Sequence, residues 1–203
     1  MNRLVVAAFA LAFSGTLSSP LWGQTGEFWF NFGESVLENN GIGTDQAFTG
    51  TPHDVQLNDG WRFSFRFGFN QGDHFGHEIQ YAFNRTYLQF NDVTPAEKDT
   101  MHFHQSGYNF LYYFNTDRAK IRPFATAGVH FDDFVPPGGS INAGGSNKFG
   151  LNFGAGVKFH IKGMFAGRVD AREYMNGKPA FGLGMVQGLL WQTELSAGVG
   201  IGF

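Results

Sequence analysis

The 203 residues contain no cysteine, which excludes a disulfide scaffold, a lipid-modified cysteine and thiol chemistry. Charge is scarce as well. Charged residues make up 15% of the chain, and 14 basic against 17 acidic side chains leave a net charge of −3. That balance provides no basic footprint for nucleic acid. Beyond the first residues no apolar run approaches the ~20 residues that a membrane-spanning helix needs. The glycine-rich stretch from Pro136 to Gly150 leads into a strand pattern and lacks a Gly-Lys-Ser/Thr ending, so it is a loop and not a phosphate cradle. What remains is rich in two residues, with 25 phenylalanines and 29 glycines. Such a composition suits neither a disordered chain nor a long helical bundle.

The amino terminus follows the order of a secretory signal peptide: a short positive start at Asn2-Arg3, an apolar run from Leu4 to Phe13, then small and polar residues to Gln24. The expected division is a signal peptide over 1–23 and one domain over 24–203. Mean hydropathy is −0.20, which resembles a soluble chain. A transmembrane barrel resolves that conflict, because only alternate residues meet lipid.

Alternation is the dominant signal. Trp61, Phe63, Phe65, Phe67 and Phe69 interleave with Arg62, Ser64, Arg66, Gly68 and Asn70. Similar runs surround Phe28 to Phe32, Glu78 to Asn84, Tyr108 to Phe114, Phe124 to Phe131, Phe149 to Phe159 and Phe165 to Arg172. The terminal run, Glu194 to Phe203, puts Leu195, Ala197, Val199 and Ile201 on one face and makes eight. Connections alternate in length. Asn70–His74, Asn115–Lys120 and His160–Gly163 are short. Leu37–Asp59, Arg85–Met101, Asp132–Asn147 and Glu173–Gln187 are longer and polar, and are expected to be loops.

Short turns on one rim, long loops on the other and a terminal aromatic strand resemble the small eight-stranded outer-membrane barrels, of the OmpX type and the OmpA barrel domain. The resemblance implies an all-β, eight-stranded antiparallel up-and-down transmembrane barrel in the bacterial outer membrane, with short turns periplasmic and long loops at the cell surface. It also implies an assembly signal at Leu195, Val199, Ile201 and Phe203, read by the barrel-assembly machinery during insertion. Outer-membrane lipid and lipopolysaccharide are the expected partners. The acidic loop residues Glu38, Asp45, Asp54, Asp59, Asp92, Glu97 and Asp99 fit a plain solvated surface, with sharing of divalent cations with phosphates as the alternative. A monomer without cofactor is expected.

The phase opposite the aromatics collects Arg62, Arg66, Glu78, Arg122, Lys148, Lys158, Arg168, Asp170, Arg172 and Glu194. In a barrel these charges face the lumen, where eight strands leave a space that side chains can fill. Hairpin parity predicts Arg66 opposite Glu78, Gly156 opposite Arg168 and Gly154 opposite Asp170. Glycines at 198, 200 and 202 predict a periplasmic vestibule. A soluble lipocalin-like barrel would reverse the faces, with apolar residues inside.

Two site chemistries compete with plain structure. His102, His104 and His130, with Asp132 and Asp133, invite a metal, but the first two share the outward phase and His130 the inward one. His104 and Ser106 share a strand face with Asp99 nearby, a nucleophile, base and acid without a motif. The expected function is a structural or surface-interaction scaffold with a charged, largely plugged lumen. A narrow, mildly anion-favouring channel is the alternative, and an outer-membrane lipid-modifying enzyme is third.

Overall fold

The alternating runs form strands throughout. The computed structural model describes residues 24–45, 53–91, 97–138, 144–185 and 188–203. The signal-peptide segment 1–23 lies outside the described residues. The strands are β1 (Gln24–Glu38), β2 (Gly41–Asp45), β3 (His53–Gln71), β4 (Phe75–Phe90) and β5 (Glu97–Tyr113). They continue with β6 (Ile121–Val135), β7 (Ser146–Lys162), β8 (Phe165–Gly177), β9 (Gly184–Met185) and β10 (Leu189–Gly202). Eight of them, β1, β3 to β8 and β10, are the staves of an all-antiparallel barrel, which β1 closes by pairing with both β3 and β10. The short β2 and β9 lie at the loop end, β2 against β3 and β9 against β2.

Polarity is that of a membrane barrel. Phe65, Phe67 and Phe69 point outward and are exposed, as are Phe30, Phe32, Phe110, Phe131, Leu151, Phe153, Val169, Leu195 and Val199. The intervening positions are buried, among them Arg62 and Arg66, which are 1% and 0% exposed. A lipocalin-like arrangement is thereby excluded, because the phenylalanines face out and the arginines in.

Two expectations from sequence need correction. The first is register. Arg66 stands opposite Gln80 and Gly68 opposite Glu78. Likewise Gly156 pairs with Asp170 and Gly154 with Arg172. The turns are placed differently from the parity guess. Gln71 pairs with Phe75 around Gly72-Asp73-His74, and Lys162 pairs with Phe165 around Gly163-Met164. Gly72 and Gly163 take φ of 65° and 62°, a left-handed conformation that a side chain would disfavour. A bulge between His160 and Lys162 completes the shift.

The second correction concerns the long connections. Much of Leu37–Asp59, Arg85–Met101, Asp132–Asn147 and Glu173–Gln187 is strand. Alternation persists there with the chemistry reversed. Val55, Leu57, Leu88, Phe90, Met101, Phe103, Phe134 and Leu190 point inward and, with Leu37, Ile42 and Phe181, form a buried apolar cluster. Asp54, Tyr87, Lys98 and Thr100 face outward and are exposed. The loop end of the barrel is therefore built like a soluble barrel on top of a membrane one.

Candidate functional site

The lumen is stacked in three layers. The periplasmic layer holds Glu27, Trp29, Asn70, Leu111, Tyr113, Arg122, Phe124 and Lys158. Glu27 accepts hydrogen bonds from Trp29 Nε1 at 2.9 Å and Asn70 Nδ2 at 2.7 Å, and pairs with Lys158. Lys158 Nζ also donates to Tyr113 Oη at 2.6 Å. The Arg122 guanidinium lies 3.5 Å from the centre of the Tyr113 ring and donates to the Asp73 carbonyl at 2.7 Å. A cavity of about 220 Å³ opens here, lined by Glu27, Trp29, Arg122, Lys158, Met164 and Phe203 among others.

Gly202 lines this cavity and has only the Gly26 carbonyl within reach of an added methyl group, but the glycines deeper in the barrel are covered. A methyl group on Gly200 would meet the Trp29 indole at 2.5 Å, and one on Gly156 the Phe124 ring at 2.5 Å. Gly150 is covered in the same way by His130, at 2.5 Å. Large flat side chains lie along the wall where the glycines leave room, so the vestibule is confined to the mouth.

The middle layer is ionic. Arg168 grips Asp170 with two donors, Nε to Oδ2 at 2.5 Å and Nη2 to Oδ1 at 2.9 Å, and reaches Glu78 Oε2 with Nη1 at 2.5 Å. Arg172 Nη2 donates to Glu78 Oε1 at 2.8 Å and to Asp170 Oδ1 at 3.1 Å. Arg66 joins Glu194 at 2.5 Å and Asp170 at 3.1 Å, with Glu78 at 4.0 Å. Arg62 reaches Glu194 at 3.3 Å and Gln105 at 3.0 Å. Tyr174 and Ser196 add hydroxyl donors to Glu194 at 2.7 and 2.6 Å. The cluster links β3, β4, β8 and β10 across the lumen. Its charged members are at most 1% exposed. Bidentate guanidinium–carboxylate geometry of this kind is the arrangement in which a buried pair recovers its desolvation cost.

Above it, Gln192 donates to Ser35 and Asn84 at 2.7 and 2.9 Å, and Gln105 donates to Gln192 at 3.1 Å. The apolar cluster follows. Phe103 and Phe134 stack there with ring centres 4.8 Å apart. Over the top, Lys178 Nζ donates to the Gly41 carbonyl at 2.7 Å, and Asn39 Nδ2 to the Leu189 carbonyl at 2.7 Å. These bonds clasp the connection that follows β8 to the turn after β1.

The sequence-derived lumen residues divide between layers. Arg62, Arg66, Glu78, Arg168, Asp170, Arg172 and Glu194 meet in the middle, while Arg122 and Lys158 lie below. Lys148 is half-buried near the rim. Sequence reasoning missed Glu27 and Tyr174. Both were accessible by parity, Glu27 two residues from the inward Trp29 and Tyr174 two from Arg172.

Neither competing chemistry assembles. His102 and His104 lie on the outer face, and His130 is buried beside Asp132 with 3.4 Å between Nε2 and Oδ2. Among the described residues no group of three or more acidic or histidine side chains is arranged to hold a metal ion. Asp99 pairs with the inward Leu88 and so lies on the opposite face from Ser106. His104 Nδ1 instead shares a hydrogen bond with Tyr81 Oη at 2.7 Å.

At the carboxy terminus Phe203 exchanges both backbone hydrogen bonds with Gly26, each at 2.8 Å, and its ring covers that glycine. Leu195 and Val199 face outward and are exposed, and Ile201 is half-exposed.

Comparison with known structures supports the same architecture. The outer membrane protein AlkL, solved by solid-state NMR in DMPC lipid bilayers, matches with a TM-score of 0.56 at 14% identity, over 92% of this chain and 93% of that one. The crystal structure of Neisserial surface protein A matches with a TM-score of 0.54 at 16% identity, over 88% of this chain and 96% of that one. No curated protein matches the sequence. The family model described as outer membrane protein beta-barrel domain matches residues 5–203. The inverted polarity, the closed antiparallel barrel and that match agree, and the chain belongs to the outer membrane protein beta-barrel family of bacterial outer membranes.

Proposed function

We propose that this protein is a non-conducting outer-membrane scaffold whose lumen is closed twice and whose strand extensions present a rigid surface outside the cell. The observation that carries this reading is the stacking of a buried ionic layer beneath a buried apolar one. An ion entering from the periplasm meets guanidinium and carboxylate groups already paired with one another, and then a hydrocarbon layer that offers no ligand. In the same reading a signal peptide over 1–23 directs export, and the barrel-assembly machinery reads Leu195, Val199, Ile201 and Phe203. Lipid and lipopolysaccharide surround a single barrel. The test is conductance. Purified protein in planar bilayers should give no stable steps above the bilayer background. Steady anion-selective channels from the unmodified protein would replace the scaffold by the narrow channel.

A further inference from the structure

The lipid-facing surface is uneven. On β3 the outward residues Trp61 to Phe69 are all aromatic, and on β6 Ile121, Pro123, Ala125, Ala127, Val129 and Phe131 are all apolar. Between them, β4 and β5 carry a polar stripe. His77 Nδ1 and Tyr108 Oη are 2.6 Å apart, and Tyr81 Oη and His104 Nδ1 2.7 Å. The paired rings stack at 5.9 and 6.0 Å, and His102 stacks on Phe83 at 5.5 Å. Ser106 sits directly opposite Tyr81 and is exposed.

Each imidazole is tied through Nδ1, so its Nε2 is left over. Among the described residues no protein group meets Nε2 of His77 or His104, or the Ser106 hydroxyl. Whichever tautomer the tyrosine bond selects, an unmatched donor or acceptor faces the bilayer, and in hydrocarbon that costs free energy. A partner with polar groups set along otherwise apolar chains removes the cost.

Charge on the surface rim points the same way. Outward acids Glu34, Glu38, Asp54 and Asp59 occupy β1, β3 and their connections, and are exposed. β4 and β5 instead carry Arg85 and Lys98, both exposed and without an ion pair among the described residues. Arg85 stands opposite His102, and Lys98 opposite Gln89, four positions beyond Arg85. At strand rise the two cations are about 13 Å apart along the sheet. Asp59 on β3 and Asp133 on β6, the latter opposite His104, are the outward acids on the flanking strands, and neither forms an ion pair with Arg85 or Lys98 among the described residues.

We propose that the outer face of β4 and β5 is a seat for an anionic glycolipid of the outer leaflet. Its phosphates meet Arg85 and Lys98, and hydroxyl and carbonyl groups on its acyl chains meet His104 and Ser106, while His77, three residues from the periplasmic turn, lies below its reach. The match is one of charge and of polarity at depth. The unpaired outward cations of this rim crown a stripe of histidine–tyrosine hydrogen bonds that continues below them on the same two strands.

Native mass spectrometry of the refolded barrel, released from zwitterionic detergent, tests the seat. The probes are a bisphosphorylated, hydroxyacylated glucosamine disaccharide lipid, phosphatidylglycerol and phosphatidylcholine, each added at equal concentration. One glycolipid should be retained about tenfold more than phosphatidylcholine, as charge-assisted phosphate contacts require. Arg85→Gln with Lys98→Gln, and separately His104→Phe with Ser106→Ala, should each cut retention about fivefold or more. Lys120→Gln with Lys162→Gln, on the periplasmic turns, should leave it unchanged. Heat-modifiable mobility confirms that each variant is folded. Equal retention of phosphatidylcholine, or wild-type retention by both variants, overturns the proposal. Equal retention of phosphatidylglycerol overturns the acyl-chain part. Lipid-free dimers lost in His104→Phe with Ser106→Ala would assign the stripe to a second copy of the chain instead. None of these results depends on whether the lumen conducts.

Discussion

Asp170 receives three guanidinium groups, from Arg66, Arg168 and Arg172, and has no exposed surface to share with water. Its carboxylate is the residue on which the ionic layer depends. Removing one member of a buried charge set leaves the others uncompensated, a larger loss than the net worth of the pair. Asp170→Asn should therefore destabilise the barrel by about 3–5 kcal/mol. Asp117→Asn, on an exposed periplasmic turn, should stay within about 0.5 kcal/mol. Urea titrations in lipid vesicles, followed by tryptophan fluorescence, measure both. Equal midpoints would mean that the ionic layer contributes little. The partners of Asp170 were only half legible in the sequence. Alternation put Arg168, Asp170 and Arg172 on one face of one strand. That Arg66 and Glu194 complete the set depends on the closure of the barrel, which brings β3 and β10 to the same point of the lumen. No local pattern encodes it.

The elements show the same limit in another form. Strand existence was readable wherever outward residues were aromatic, because a period of two in phenylalanine has little other explanation. Strand length was not. Above the membrane the inward positions become apolar and the outward ones polar, so Val55, Leu57, Leu88, Phe90, Met101 and Phe103 sit in segments whose overall composition is that of a loop. Register was displaced by two residues, since parity survives such an error while partner identity does not. The strand extensions carry their own prediction. Leu57→Ala and Phe103→Ala open cavities in the apolar cluster and should each cost about 2–5 kcal/mol. Hydrogen exchange should rise in Val55 to Asn58, Leu88 to Phe90 and Met101 to Phe103, while Phe63 to Phe67 stays protected. Uniform loss of protection would show the two ends to be one cooperative unit. The terminal strand makes a second claim. Phe203 joins Gly26 at the seam where β10 meets β1. Deleting Phe203 should lower the yield of folded, heat-modifiable protein in the outer membrane well below that given by deleting Gly144. Equal yields would remove the terminal aromatic from any part in assembly.

At the scale of the whole molecule the two closures act in series, and this distinguishes a scaffold from a gated pore. If the ionic layer alone closed the lumen, truncating it would suffice to open a path. Arg66→Ala with Glu194→Ala removes one cation and one anion, keeps the net charge and leaves space in the middle of the barrel. The path above is still blocked by the apolar cluster, where a permeating ion finds no ligand and pays the full desolvation penalty. Cutting only the apolar layer, by Leu57→Ala, Phe103→Ala and Phe134→Ala, leaves the arginines and carboxylates locked across the lumen. Each variant alone should therefore conduct no more than the unmodified barrel. The five substitutions together should produce resolved single-channel steps. Planar-bilayer recording of the three proteins, each checked for heat-modifiable mobility, decides the matter. Conductance from the ionic-layer variant alone would mean that the upper layer is no seal, and that the barrel is a channel held shut by salt bridges.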